Sequence, residues 1–61
     1  MYYRLYRLDA FGHIVRAHPV EAEDDAAALA RARALGYRGV VEVWRRDRKI
    51  ASVAPQAIEG A

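Results

Sequence analysis

The side chains of this chain that could do chemistry fall into four groups. They are His13 and His18, the lone serine Ser52, the carboxylate run Glu23-Asp24-Asp25, and the basic run Arg45, Arg46, Arg48 and Lys49 beside Trp44. Catalysis by a histidine or a serine needs a partner within hydrogen-bond reach and a third group that orients it. His13 falls at a turn, His18 precedes Pro19, and Ser52 sits in a strand-like stretch, so ordinary structural roles account for all three. The carboxylates stand just before an alanine-rich run, where acidic side chains cap bare helix N–H groups. With no cysteine there is no thiolate nucleophile, thiolate metal site or disulfide. The four glycines are isolated, so no glycine-rich phosphate loop exists. The expectation is a protein without catalysis, metal or cofactor.

The basic run carries the densest charge. Read functionally, Arg45, Arg46, Arg48 and Lys49 form a phosphate-contacting tip with Trp44 as a stacking platform, the combination used by nucleic-acid binders. Read structurally, they are a solvated hairpin turn that discourages edge-to-edge aggregation. The composition tempers the first reading. Nine of the ten basic residues are arginine and alanine is heavily used, a pairing that GC-rich coding often produces. Eight carboxylates dilute the field to a net charge of +2.

The elements that must position these groups are short. Sixty-one residues make one domain. A chain of this size buries only about 60% of the surface exposed when unfolded, so its core is thin. Without disulfides or metal, self-association is the remaining source of stability. The charged, alternating N-terminus does not read as a secretory signal, and no run approaches the ~20 apolar residues of a membrane span. A small cytoplasmic protein, complete in itself and not associated with membranes, is expected.

Tyr2 to Asp9 reads as a strand, and Asp9 to His13 as a three-residue hairpin loop with Gly12 in the left-handed position. The returning strand is Ile14 to Ala22. In that register Leu8 faces Ile14 and Tyr6 faces Arg16, and neither face is cleanly apolar. One carries Tyr3, Leu5, Arg7, Val15 and Ala17, the other Tyr2, Arg4, Tyr6, Leu8, Ile14, Arg16 and Val20. A bulge between Arg16 and Pro19 would switch phase and turn Val20 and Ala22 inward, and Pro19 suits an edge strand. Asp24-Asp25 through Leu35 reads as a helix stopped at Gly36, with Ala28, Leu29, Ala32 and Leu35 as a narrow apolar stripe.

Val40 to Trp44 is the strongest strand, and Ile50 to Ala54 returns after a two-residue loop at Arg46-Asp47. Val43 would then face Ile50 and Trp44 would face Lys49. The expected fold is α+β in the order ββαββ: a four-stranded, mainly antiparallel sheet with one helix on one face. The domain spans 1–54 and a flexible tail 55–61 follows. One helix covers one sheet face, which leaves Arg4, Tyr6, Glu42 and Trp44 on the open one, with Arg4 and Glu42 placed to pair.

The string Tyr3-Arg4-Leu5-Tyr6, then Leu8-Asp9 and Gly12-His13-Ile14, continues downstream as Asp24-Asp25-Ala26-Ala27-Ala28-Leu29 and Val41-Glu42-Val43-Trp44. It resembles, over nearly the whole chain, a large group of short bacterial proteins of about this length. In that group the position of Arg7 is usually aromatic and that of Arg46 often glycine. This resemblance implies no particular activity. A fold-level similarity links the chain to antitoxins of the HicB type, which follow a hairpin with an acidic-capped, alanine-rich helix but place a third strand before it. That similarity implies an inhibitor that binds one protein partner. The residues themselves lead to a non-catalytic interaction or adaptor module, homodimeric through the open face or the edge strands. The alternative is nucleic-acid binding at Trp44, Arg45, Arg46, Arg48 and Lys49.

Overall fold

The computed structural model describes residues 1–55. Its elements are β1 (Tyr2–Leu8), β2 (Ile14–Glu21), α1 (Asp25–Ala34), β3 (Val41–Arg45) and β4 (Arg48–Val53). The four strands form one antiparallel sheet in the order β2-β1-β3-β4, with the helix lying across β3 and β4. This is the α+β, ββαββ arrangement. Of the expected tail 55–61, all but Pro55 lies outside the described residues.

The first turn follows its local chemistry. Ala10, Phe11 and Gly12 form the loop, the Asp9 N–H donates to the His13 carbonyl at 2.9 Å, and Gly12 takes φ +83°. Asp9 Oδ1 accepts from the N–H groups of Phe11 and His13, each at 2.8 Å. Those bonds, the one from His13 foremost, favour the carboxylate and hold Asp9 below the ordinary carboxylate value, against a smaller opposing effect of desolvation.

Leu8 faces Ile14 as expected, but Tyr6 faces Ala17 rather than Arg16. Val15 is the extra residue, so the bulge falls before Arg16 rather than between Arg16 and Pro19. The phase switch itself has the expected result, because Val20 now sits opposite Tyr3 and packs with Ala22 against the core. A second bulge at Ile50 shifts the other hairpin. Val43 faces Ala51 instead of Ile50, while Trp44 faces Lys49 as expected. In both hairpins the skipped residue re-aims an apolar side chain, and Ile50 thereby packs against the core as well.

The core is small. Tyr3, Leu5, Val41, Val43 and Val53 come from the strands and Ala28 and Ala32 from the helix. Leu29 packs against this cluster, but Leu35 is the C-cap and is 39% exposed, so it drops out of the expected stripe. Alanines let the helix approach the sheet closely, and they bury little area in doing so. Asp24 caps the helix through a 2.8 Å bond from the Ala27 N–H, and left-handed Gly36 ends it. The buried Tyr3 hydroxyl donates to Asp25 Oδ1 at 2.7 Å, tying β1 to the first helical turn.

Past the helix, the Tyr37 hydroxyl donates to the Leu8 carbonyl at 2.8 Å. Gly39 passes beneath, so close that a Cβ there would stand 2.5 Å from the Leu8 oxygen and 2.6 Å from the Tyr37 ring. Arg7 shares the inward phase of Tyr3 and Leu5, but it lies over the Tyr37 ring at 5.2 Å rather than in the core. Its Nε donates to His18 Nε2 at 2.9 Å.

Candidate functional site

The candidate site is the sheet face that the helix leaves uncovered. β1 and β3 are neighbours, and their register places Arg4 opposite Trp44 and Tyr6 opposite Glu42. Directly paired residues share a face, so all four stand on the same side, with Lys49 and Ser52 beside them on β4. The four residues read from the sequence as an interaction face are therefore brought together.

Their bonding differs from the expected Arg4–Glu42 pair. Glu42 accepts the Trp44 indole N–H on Oε1 at 3.0 Å, and its Oε2 lies 3.7 Å from Lys49 Nζ. Arg4 stands opposite the indole instead. Trp44 packs edge-on against Tyr6, with ring centroids 6.1 Å apart and planes at 77°. Tyr6, Glu42 and Trp44 are half-buried within this cluster, whereas Arg4 is exposed. Ile14, 57% exposed, completes an open groove of about 250 Å³ with Tyr6, Glu42, Trp44 and Arg46. Ile14 was on the right face in the sequence pattern, but only the hairpin register brings it beside the aromatics.

The basic turn divides in two. Lys49 is committed to Glu42. Arg45 pairs with Arg48 across the turn, and Arg46 takes φ +58° at the first turn residue. A two-residue hairpin loop with a positive φ at its first position favours glycine, so arginine here is strained. Among the described residues, the side chains of Arg4, Arg45, Arg46 and Arg48 make no hydrogen bond or ion pair.

The histidines have local partners. His13 Nδ1 lies 3.5 Å from Asp9 Oδ2 beside the turn, and His18 accepts from Arg7. The acceptor role at Nε2 places the His18 proton on Nδ1. Among the described residues no three His, Asp or Glu side chains converge as a metal site. Asp24 and Asp25 are used by the helix cap and by Tyr3.

Among the described residues, β2 and β4 are the two edges of the sheet. The Ala22 N–H donates to the Met1 carbonyl, which fixes the alternation along β2. Counting back from it, Val20, His18 and Arg16 direct backbone groups to β1, while Glu21, Pro19 and Ala17 direct theirs outward. Pro19 thus removes an N–H from the free edge, and the Val15 bulge distorts its other end. β4, at the opposite edge, is interrupted by the Ile50 bulge and carries Arg48 and Lys49.

No family model matches this chain, and neither a curated protein nor a solved structure matches it.

Proposed function

We propose that this domain is a non-catalytic protein-interaction module that associates with a second copy of itself through the uncovered sheet face. The observation that carries the reading is the Tyr6–Trp44 pair with Ile14 on a face that no element among the described residues covers, in a domain whose core includes two alanines among seven side chains. A second copy laid on this face buries the aromatics and adds apolar area that the monomer lacks. Both free edges are blunted by bulges, and by a proline or by cations, which favours the face over strand-to-strand pairing.

Nucleic-acid binding centred on Trp44 has weaker support. The indole edge is taken by Glu42, Tyr6 abuts the ring, and Lys49 is already paired.

The test is the environment of Trp44, the only tryptophan, followed by fluorescence on dilution. Association through the face predicts a red shift and greater acrylamide quenching as the protein is diluted, with far-UV signal unchanged. Emission independent of concentration across the accessible range would sink the proposal.

A further inference from the structure

We propose a second binding site at the end of the sheet where β1 begins and the β3–β4 turn closes. Its ligand is a nucleotide, with its phosphate on Arg4 and Arg46 and its base against Tyr2. The site adjoins the Tyr6–Trp44 pair without using it, and shares Arg4 and Arg46 with the proposed association face.

Strand register assembles it. Pairing of β1 with β3 sets Arg4 opposite Trp44, and the two-residue turn then carries Arg46 back over the start of β1. The result is an open groove of about 500 Å³ lined by Tyr2, Tyr3, Arg4, Pro19 and Arg46. A smaller one of about 200 Å³ adjoins it, lined by Met1, Tyr2, Arg45 and Arg46. Tyr2 and Arg46 belong to both. The larger volume falls within the range of about 300–1,000 Å³ typical of small-molecule sites.

Three independent features give this place its chemistry. Among the described residues, the guanidinium groups of Arg4 and Arg46, which line one groove, lack an anionic partner, and like charges held together there repel until an anion joins them. Arginine forks match phosphate oxygens bidentately, and more than one of them suits a dianion better than a single carboxylate.

The second feature is the backbone of Arg46, whose φ of +58° a glycine would adopt without strain. Strain of this kind, kept at a residue that reaches into a groove, is a mark of ligand sites. The third is Tyr2, 75% exposed and shared by both grooves, which offers a ring next to the cations. An exposed aromatic beside phosphate-binding groups takes a flat base by stacking.

The test is calorimetric titration of the full chain at low salt with adenosine 5′-monophosphate, inorganic phosphate, adenosine and a short oligodeoxyadenylate. The monophosphate is expected to bind saturably, at least about tenfold more tightly than either phosphate or adenosine alone. Arg46→Gly weakens it by about tenfold while leaving the thermal midpoint unchanged or higher, which separates a ligand role from a structural one. Tyr2→Ala weakens the monophosphate but not inorganic phosphate. Affinity per site equal for the oligomer and the monophosphate identifies a free nucleotide as the ligand. Tighter oligomer binding with a steeper salt dependence identifies a single strand. Monophosphate binding no tighter than inorganic phosphate, or undiminished in Arg46→Gly, overturns the proposal.

Discussion

Trp44 meets Tyr6 edge-on at 6.1 Å while its indole N–H is held by Glu42, so the aromatic pair on the open face is oriented before any partner arrives. Edge-to-face pairs contribute about 0.5–1.5 kcal/mol beyond the area they bury. A double-mutant cycle of Tyr6→Ala and Trp44→Ala, followed by urea unfolding at low protein concentration, is expected to give a coupling of about 1 kcal/mol. Additive effects would show that the two rings merely adjoin.

Arg46→Gly relieves a left-handed backbone at the β3–β4 turn. The native strain costs about 1–2 kcal/mol, and the freedom glycine regains in the unfolded chain offsets part of it. A net gain of about 0.5 kcal/mol in urea unfolding is expected, with Arg46→Ala giving none.

Gly39→Ala has the opposite sign. Its methyl group would meet the Leu8 carbonyl oxygen, a backbone atom that cannot rotate away, as well as the Tyr37 ring. A loss of about 1–3 kcal/mol is expected from the backbone shift it forces. Tyr37→Phe, which removes only the hydroxyl bond to the same oxygen, should cost about 1 kcal/mol.

Asp9 and Tyr3 make stability pH-dependent in opposite directions. Asp9 is held below its ordinary 3.8 by the turn N–H groups. Its contribution is present above that value and is lost as pH falls through the lower folded-state value. Tyr3 is raised above its ordinary 10.0, first by burial and then by its bond to the Asp25 carboxylate. Its contribution is present below 10.0 and is lost as pH rises through the folded-state value. Thermal melts across pH should therefore show Asp9→Asn flattening the acid limb and Tyr3→Phe flattening the alkaline one. Limbs of unchanged slope in these variants would contradict the assignments.

The parts of the fold legible in the sequence are those with local causes. Asp24 and Gly36 bound the helix, Gly12 closes the first turn, and the Arg46-Asp47 loop lies where its length requires. The shared face of Arg4, Tyr6, Glu42 and Trp44 followed from strand phase alone. What escaped depends on tertiary demand. Neither Val15 nor Ile50 carries a mark saying it will be skipped, because each bulge serves to bring Val20 or Ile50 itself toward the helix side. Glu42 turned to Trp44 and Lys49 rather than Arg4 because β1 and β3 are distant in the chain, and no turn between them fixes their register. The groove of Tyr2, Arg4 and Arg46 was hidden for the same reason.

The central claim, self-association through the uncovered face, is tested most directly by light scattering coupled to size exclusion over a wide range of loading concentrations. Association through this face predicts a dimer mass for the native chain and a folded monomer mass for Trp44→Ala, because the lost ring belongs to the contact and is only half-buried in the monomer. A native chain that stays monomeric and stably folded at the highest concentration would contradict it.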